Sequence, residues 1–202
     1  MKRAYILFAL SFLLSLSIYA QNATQARQIL DKTAKLISRK AGASANFTIN
    51  GGANGTLSGT IFIKGNKFYA KTPQASTWYN GKTQWTYMAK SEEVNVSNPT
   101  DAQQAQMNPY KFITLYKKGY ALSMKTVSGS YQIHLTSQKK QSIQEMYITV
   151  NKTTNLPTQV KICQNNKWST ITITNFQTKD LSDGLFNFNS KNYPNAEIID
   201  LR

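Results

Sequence analysis

The stretch WYNGKTQWTYMAKSEEVNVS, residues 78–97, decides how this chain is read. Asn80-Gly81 between two alternating runs is a strong hairpin signal, because both residue types tolerate the positive φ of tight turns. The spacing predicts antiparallel strands over 76–79 and 82–88, joined by a two-residue loop. In that register Tyr79 faces Lys82, Trp78 faces Thr83 and Ser76 faces Trp85. Opposite residues share a face. Trp78, Trp85 and Tyr87 therefore collect on one side, and Thr77, Tyr79, Gln84 and Thr86 on the other. Three large rings on one face need a packing partner or a ligand, and periodicity leaves both readings open.

Working outward, residues 22–40 place Ala26, Ile29, Leu30, Ala34, Leu36 and Ile37 at helical spacing, which predicts an amphipathic helix. Alternating segments follow at 45–50, 56–64, 66–71 and 92–97, with Leu57, Ile61 and Ile63 in phase along the second. The alternation stops at Asn98-Pro99. Residues 100–107 read as a short helix, and Asn108-Pro109 as the cap and first position of another carrying Phe112, Leu115 and Tyr116 on one face. Strand patterns resume at 120–127, 131–137, 143–151, 157–164 and 168–176, and LFNFN (185–189) reads as a last short strand. The expected fold class is mainly β. About ten or eleven antiparallel strands form a strongly curved sheet, because so many neighbours cannot stay flat. The N-terminal helix and the mid-chain helical insertion then lie in or across the mouth of the curl.

Lys2 and Arg3 precede an apolar run from Ala4 to about Leu16, with small Ala20 at a plausible cleavage point. Residues 1–20 read as a cleaved secretory signal peptide, with a retained anchor as the alternative. Residues 21–202 then form a single exported domain, most simply in the periplasm. No Cys follows Ala20, so the chain carries no lipidation site of its own there, and Cys163, the one cysteine, reads as structural. Without the leader the chain has 22 basic residues against 9 acidic ones, a net charge of +13. That charge suits anionic partners. Export argues against nucleic acid and for transient contact with a membrane surface, with diffuse solubilising charge as the other reading.

Groups with catalytic chemistry are sparse. His134 is the only histidine and sits in an alternating strand; Glu92-Glu93, the only adjacent acids, point to opposite faces of theirs. No His, Cys, Asp or Glu cluster has metal-ligand spacing, and the glycines of GTIFIKGNK flank a strand rather than open a helix. The chain reads as a non-enzyme with no cofactor.

In order along the chain, GTIFIKGNKFYAKTP (59–73), NGKTQWTYMAKSEEVNVS (80–97), NPYKFITLYKKGY (108–120) and LFNFNSKNYPNAEIID (185–200) resemble the outer-membrane lipoprotein carrier family, the LolA type. Its members show an Asp-Gly-Lys or Asn-Gly-Lys turn before a Trp-x-Tyr strand, a helix opening at a Pro, and a late Phe-x-Phe strand. The resemblance implies a half-open barrel with an apolar concave face and a helical lid. It also implies a monomeric periplasmic carrier for acylated lipoproteins, loaded by an inner-membrane ABC-type lipoprotein-releasing complex and shuttling to the outer membrane. Leaving an acyl chain of roughly sixteen carbons in water costs on the order of 12 kcal/mol, so such a carrier must shield its cargo. The candidate cavity wall is Leu57, Ile61, Ile63, Phe68 and Ala70, then Trp78, Trp85 and Tyr87, with Ile29 and Leu30 from the first helix and Phe112 and Leu115 from the insertion. Each of these is equally a candidate for closed core. Where the best-known members carry Lys-Arg-Pro, with the Arg latching the lid, this chain has Lys64-Gly65-Asn66, leaving Lys64 as the candidate for lid control. Two other readings are a secreted carbohydrate-binding module with Trp78, Trp85 and Tyr87 as an exposed platform, and a lipid sensor of the same fold.

Overall fold

The computed structural model describes residues 22–52, 55–100, 103 and 114–202. Residues 1–20, read above as a signal peptide, Phe112 and most of the stretch expected to form the helical insertion lie outside the described residues. Helix α1 covers residues 22–37. Strands β1 (Ala43–Gly52), β2 (Gly55–Lys64), β3 (Lys67–Lys71), β4 (Ala75–Tyr79), β5 (Gln84–Met88) and β6 (Glu93–Ser97) follow. Beyond the insertion come β7 (Tyr120–Val127), β8 (Ser130–Ser137), β9 (Ile143–Asn151), β10 (Pro157–Gln164), β11 (Lys167–Thr178) and β12 (Glu197–Asp200).

All twelve strands form one sheet in the order β12-β6-β5-β4-β3-β2-β1-β11-β10-β9-β8-β7. The sheet is mainly antiparallel, curved and not closed, with α1 against its inner face, which is the half-open barrel with a helical lid expected from the alternation. Two details differ from that expectation. LFNFN is not a strand: Asp183–Phe186 forms a 3-10 turn and the chain then runs irregularly to a second such turn at Ser190–Asn192. The last strand is instead β12, and it pairs parallel to β6, with Ile198 beside Val94.

The Asn80-Gly81 hairpin also closes differently. Trp78 pairs with Trp85, Tyr79 with Gln84 and Ser76 with Tyr87. The loop therefore holds four residues, 80–83, rather than two. A two-residue type I′ turn needs positive φ at both central residues, and only Gly81 has it, at +100°. Asn80 spends its side chain on the loop instead: its Oδ1 accepts from the backbone N–H of Lys82 and Thr83 at 3.1 and 3.0 Å. A register shift of two keeps every side chain on its original face. Trp78, Trp85 and Tyr87 still share one.

Alternation sorts the two faces at the centre of the sheet. Phe47 and Ile49 of β1 and Ile171 and Ile173 of β11 point inward, and the cross-strand pairs Thr48–Thr172 and Thr48–Ser58 point outward. On the inner side, α1 is shared between two apolar clusters. Ala26, Ile29 and Leu30 pack with Ile133, Leu135, Met146 and Ile148 of β8 and β9. One to two turns on, Ala34 and Ile37 pack with Ala45, Ile61, Ile63 and Phe68 of β1–β3. The helix thus bridges both halves of the sheet.

Candidate functional site

Between α1 and the inner face lies a cavity of about 330 Å³. Ala45, Phe47 and Ile49 of β1 and Ile61 and Ile63 of β2 form one wall, and Ala70 of β3 extends it. Val160 and Ile162 of β10 with Ile171, Ile173 and Phe176 of β11 form the other, and Ile37 closes it from the helix. Asn46, Gln164 and Ser169 supply polar atoms, and among the described lining residues none is charged. β-Branched residues dominate because they suit a pleated surface and have restricted χ1 rotamers. A wall of stiff, branched side chains cannot swing in to fill the space. The volume stands at the lower end of the roughly 300–1,000 Å³ usual for ligand pockets.

Gly59 shapes this wall. It pairs with Phe47, and a Cβ there would stand 2.3 Å from the Lys71 carbonyl oxygen and 2.7 Å from Phe47 Cζ. Only glycine lets the β3 backbone and the Phe47 ring approach β2 this closely.

The helix is held unevenly. Near its start, Asn22 clasps the backbone of edge strand β7, donating to the Met124 carbonyl at 2.9 Å and accepting from its N–H at 2.7 Å. Arg27 donates to the Tyr116 carbonyl at 3.3 Å, and the Tyr116 hydroxyl donates to the Asp31 carboxylate. Thr33 Oγ1, fully buried, lies 2.9 Å from the Asn155 carbonyl in the β9–β10 loop. Past Thr33, Ala34 and Ile37 meet the β1–β3 side through apolar contacts. Polar clasps thus hold one end, and the end beside the cavity rests on greasy contact.

Several predicted wall residues meet here, and others do not. Ile61, Ile63 and Ala70 line the cavity. Leu57 shares their face beyond it, opposite Ile49, and Phe68 is buried beside Tyr79 at the β3 end of the second cluster. Ile29 and Leu30 are buried against the β8–β10 side, with Leu115, now in a 3-10 turn Leu115–Lys117, packed on that cluster. Phe112 is outside the described residues. Trp78, Trp85 and Tyr87 stand on the opposite face of the sheet. The β3–β4 register decides this: Ala70 pairs with Thr77 and Phe68 with Tyr79, so the inner face continues through Thr77 and Tyr79. The predicted wall had drawn on both faces, because the turn joining β3 to β4 carries no register signal comparable to Asn-Gly. The cavity residues that sequence reasoning missed, Phe47, Ile49, Ile171 and Ile173, show the clean apolar–threonine alternation of a one-sided strand. That they meet depends on β1 pairing with β11, more than a hundred residues away in sequence.

The outer aromatic face has its own cover. Phe62 stacks on Tyr69 at 5.7 Å and Tyr69 on Trp78 at 5.1 Å. Phe188 and Tyr193 of the segment after β11 then meet Trp78 edge-on at 5.5 and 5.6 Å, and Tyr193 reaches Tyr87 at 4.5 Å. Trp78 is 6% exposed as a result. Residues 179–196 form a strap over the hairpin, ending in β12. Lys64 fastens it, donating to the Leu181 carbonyl at 2.6 Å and pairing with Asp183 at 3.2 Å, while Lys67 reaches the same carboxylate at 3.3 Å. These two ammonium groups hold the Asp183 carboxyl below its ordinary pKa, the hydrogen bond from Lys64 first. Lys64 thus binds the strap on the outer face.

The fold is thus a curved open sheet with a helix lying over an apolar cavity that has no charged lining among the described residues. The chain belongs to the family described as outer membrane lipoprotein carrier protein LolA, whose model matches residues 16–166. No curated protein matches it in sequence. Among solved structures, an uncharacterized conserved protein from Thermus thermophilus superposes with a TM-score of 0.62 at 13% identity, covering 87% of this chain and 99% of its own. A LolA superfamily protein from Nitrosomonas europaea is similar at a TM-score of 0.45 and 12% identity over 81% of this chain and 97% of its own. The first of these shares the fold. The strap, β12 and the β11 wall of the cavity lie past the residues that the family model matches.

Proposed function

We propose that this protein is an extracytoplasmic carrier that shields acyl chains of lipoproteins in the cavity under α1 and hands them on. The carrying observation is the cavity itself: about 330 Å³, walled by branched aliphatic side chains, free of charged lining among the described residues, and roofed by one helix. Each methylene moved from water into such a wall gains about 0.8 kcal/mol. Uncharged walls grip through area alone, so affinity follows chain length and release needs no bond to be broken. The helix is the moving part. Its polar clasps at Asn22, Arg27, Asp31 and Thr33 form a hinge side, and Ile37 swings with the end that rests on apolar contacts. Cargo with several acyl chains needs that swing, since the cavity in this state is at the small end of ligand pockets.

The basic surface, +13 without the leader, would serve docking at anionic membrane faces or at an inner-membrane ABC-type complex. Export follows from the signal-peptide pattern of residues 1–20. None of the described helices is long and apolar enough to cross a membrane. Family membership favours carriage over catalysis. A sugar platform at Trp78 is disfavoured, because the strap closes that ring off from solvent.

Native mass spectrometry of the mature protein with a synthetic triacylated lipopeptide tests this reading. A one-to-one complex is expected, and Ile171→Glu should abolish it by placing a charge in the cavity. If the lipopeptide fails to bind, or binds the folded Ile171→Glu variant equally well, the cavity is not its site.

A further inference from the structure

The outer face carries a second aromatic group that the strap does not cover, with Trp168 exposed among the described residues. Across four neighbouring strands, His134 of β8 pairs with Tyr147 of β9, Tyr147 with Lys161 of β10, and Lys161 with Thr170 of β11. The His134 and Tyr147 rings are parallel within 3° at 4.2 Å, and Trp168 lies 5.8 Å from Tyr147. Trp168 is 44% exposed, against 6% for strapped Trp78. On edge strand β7, Lys125 pairs with Gln132 of β8. Lys125, Gln132, Tyr147, Lys161, Trp168 and Thr170 together line a shallow depression of about 370 Å³.

We propose that this depression binds an acidic oligosaccharide, at a site separate from the acyl cavity. Aromatic rings exposed on a strand face are costly to leave bare in water, and the flat apolar face of a sugar ring covers them without needing an enclosed pocket. Lys125 and Lys161 flank the rings at a spacing set by the strands and meet carboxylates along the sugar chain. Gln132 and Thr170 offer the donors and acceptors that sugar hydroxyls require. The Glu145 carboxylate beside His134 is 3.0 Å from His134 Nε2 and so already has a partner. Four strands span about 14 Å, which suits several linked rings better than a lone one. A depression, rather than a protruding rim, suits a discrete chain better than a flat bilayer. The net charge of +13 without the leader steers such a polyanion in.

Calorimetric titration of the full chain with hexagalacturonate, and with its fully methyl-esterified form, tests the site. Hexagalacturonate should bind, more weakly as salt rises, and the uncharged ester should bind roughly tenfold less tightly. Trp168→Ala should weaken hexagalacturonate by about tenfold, and so should the Lys125→Ala/Lys161→Ala pair, which keeps the test alive if the Trp variant misfolds. Lipopeptide uptake should be unchanged in both. Absence of binding, equal affinity for the two hexamers, or full affinity in the folded variants would overturn the proposal. So would loss of binding to phosphatidylglycerol vesicles in those variants without any binding of hexagalacturonate, which would make the patch a membrane face.

Discussion

The inner and outer faces of β1–β5 each gather apolar side chains, and the chain covers them in opposite ways. Outside, Trp78 and Tyr87 are roofed by rings of the strap at 4.5–5.6 Å, Tyr69 and Phe62 continue the stack beside Trp78, and Lys64 and Lys67 clamp the strap's entry. Inside, branched aliphatics face a single helix across about 330 Å³. Flat rings in edge-to-face contact fill space completely, while stiff branched chains on a curved sheet leave room. Close covering makes the outer face a structural element. Loose covering makes the inner face a place for a ligand.

Trp78→Ala should break this contrast most severely. It removes the ring on which Tyr69, Phe188 and Tyr193 all pack, at a cost of about 3–5 kcal/mol in denaturant-induced unfolding. Lipopeptide affinity of the folded fraction should stay at the wild-type value. Gly59→Ala comes next, with a loss of about 1–3 kcal/mol by the same measurement, because Lys71 and Phe47 must both retreat. Here affinity should fall too, since Phe47 is part of the wall.

Enlarging Ile171 to Phe should do the reverse of Trp78→Ala. Added volume enters the cavity rather than a packed core, so stability should change by less than the roughly 1–3 kcal/mol of ordinary overpacking. Competition with a fluorescent fatty-acid probe should show a loss of at least about tenfold in affinity. A stability loss without a binding loss would mean that the cavity closes in solution.

The smallest effect belongs to the clamp. Asp183 is exposed, and its carboxyl is held below the ordinary value of 3.8 by Lys64 and then Lys67. A carboxylate with a lowered folded pKa stabilises the fold fully above its unfolded pKa and loses that contribution as the pH falls through the folded one. The strap should therefore loosen only below about pH 4, seen as a change in tryptophan emission. Asp183→Asn should remove that acid step and leave lipopeptide binding at neutral pH intact.

Alternation carried most of the strand assignment and the face-sharing of Trp78, Trp85 and Tyr87, because a period of two is local and survives a two-residue register error. The helix was legible from its own local period: of the six apolar residues on its predicted face, Ala26, Ile29, Leu30, Ala34 and Ile37 are buried and only Leu36 is half-buried. LFNFN misled because its alternation has a different cause. Phe186 is fully buried from a 3-10 turn and Phe188 packs on Trp78, so both rings are anchors of a strap.

By itself, then, the sequence determined strands β1 to β11, the first helix, and which side chains share a face within a hairpin, since these follow from backbone geometry within a few residues. Only the tertiary structure decided which face is concave and what covers each. That depends on β1 meeting β11, on the β3–β4 register and on a C-terminal strap crossing a hairpin a hundred residues before it. Such contacts are chosen by the free energy of the whole assembled sheet, and no short window of residues contains it.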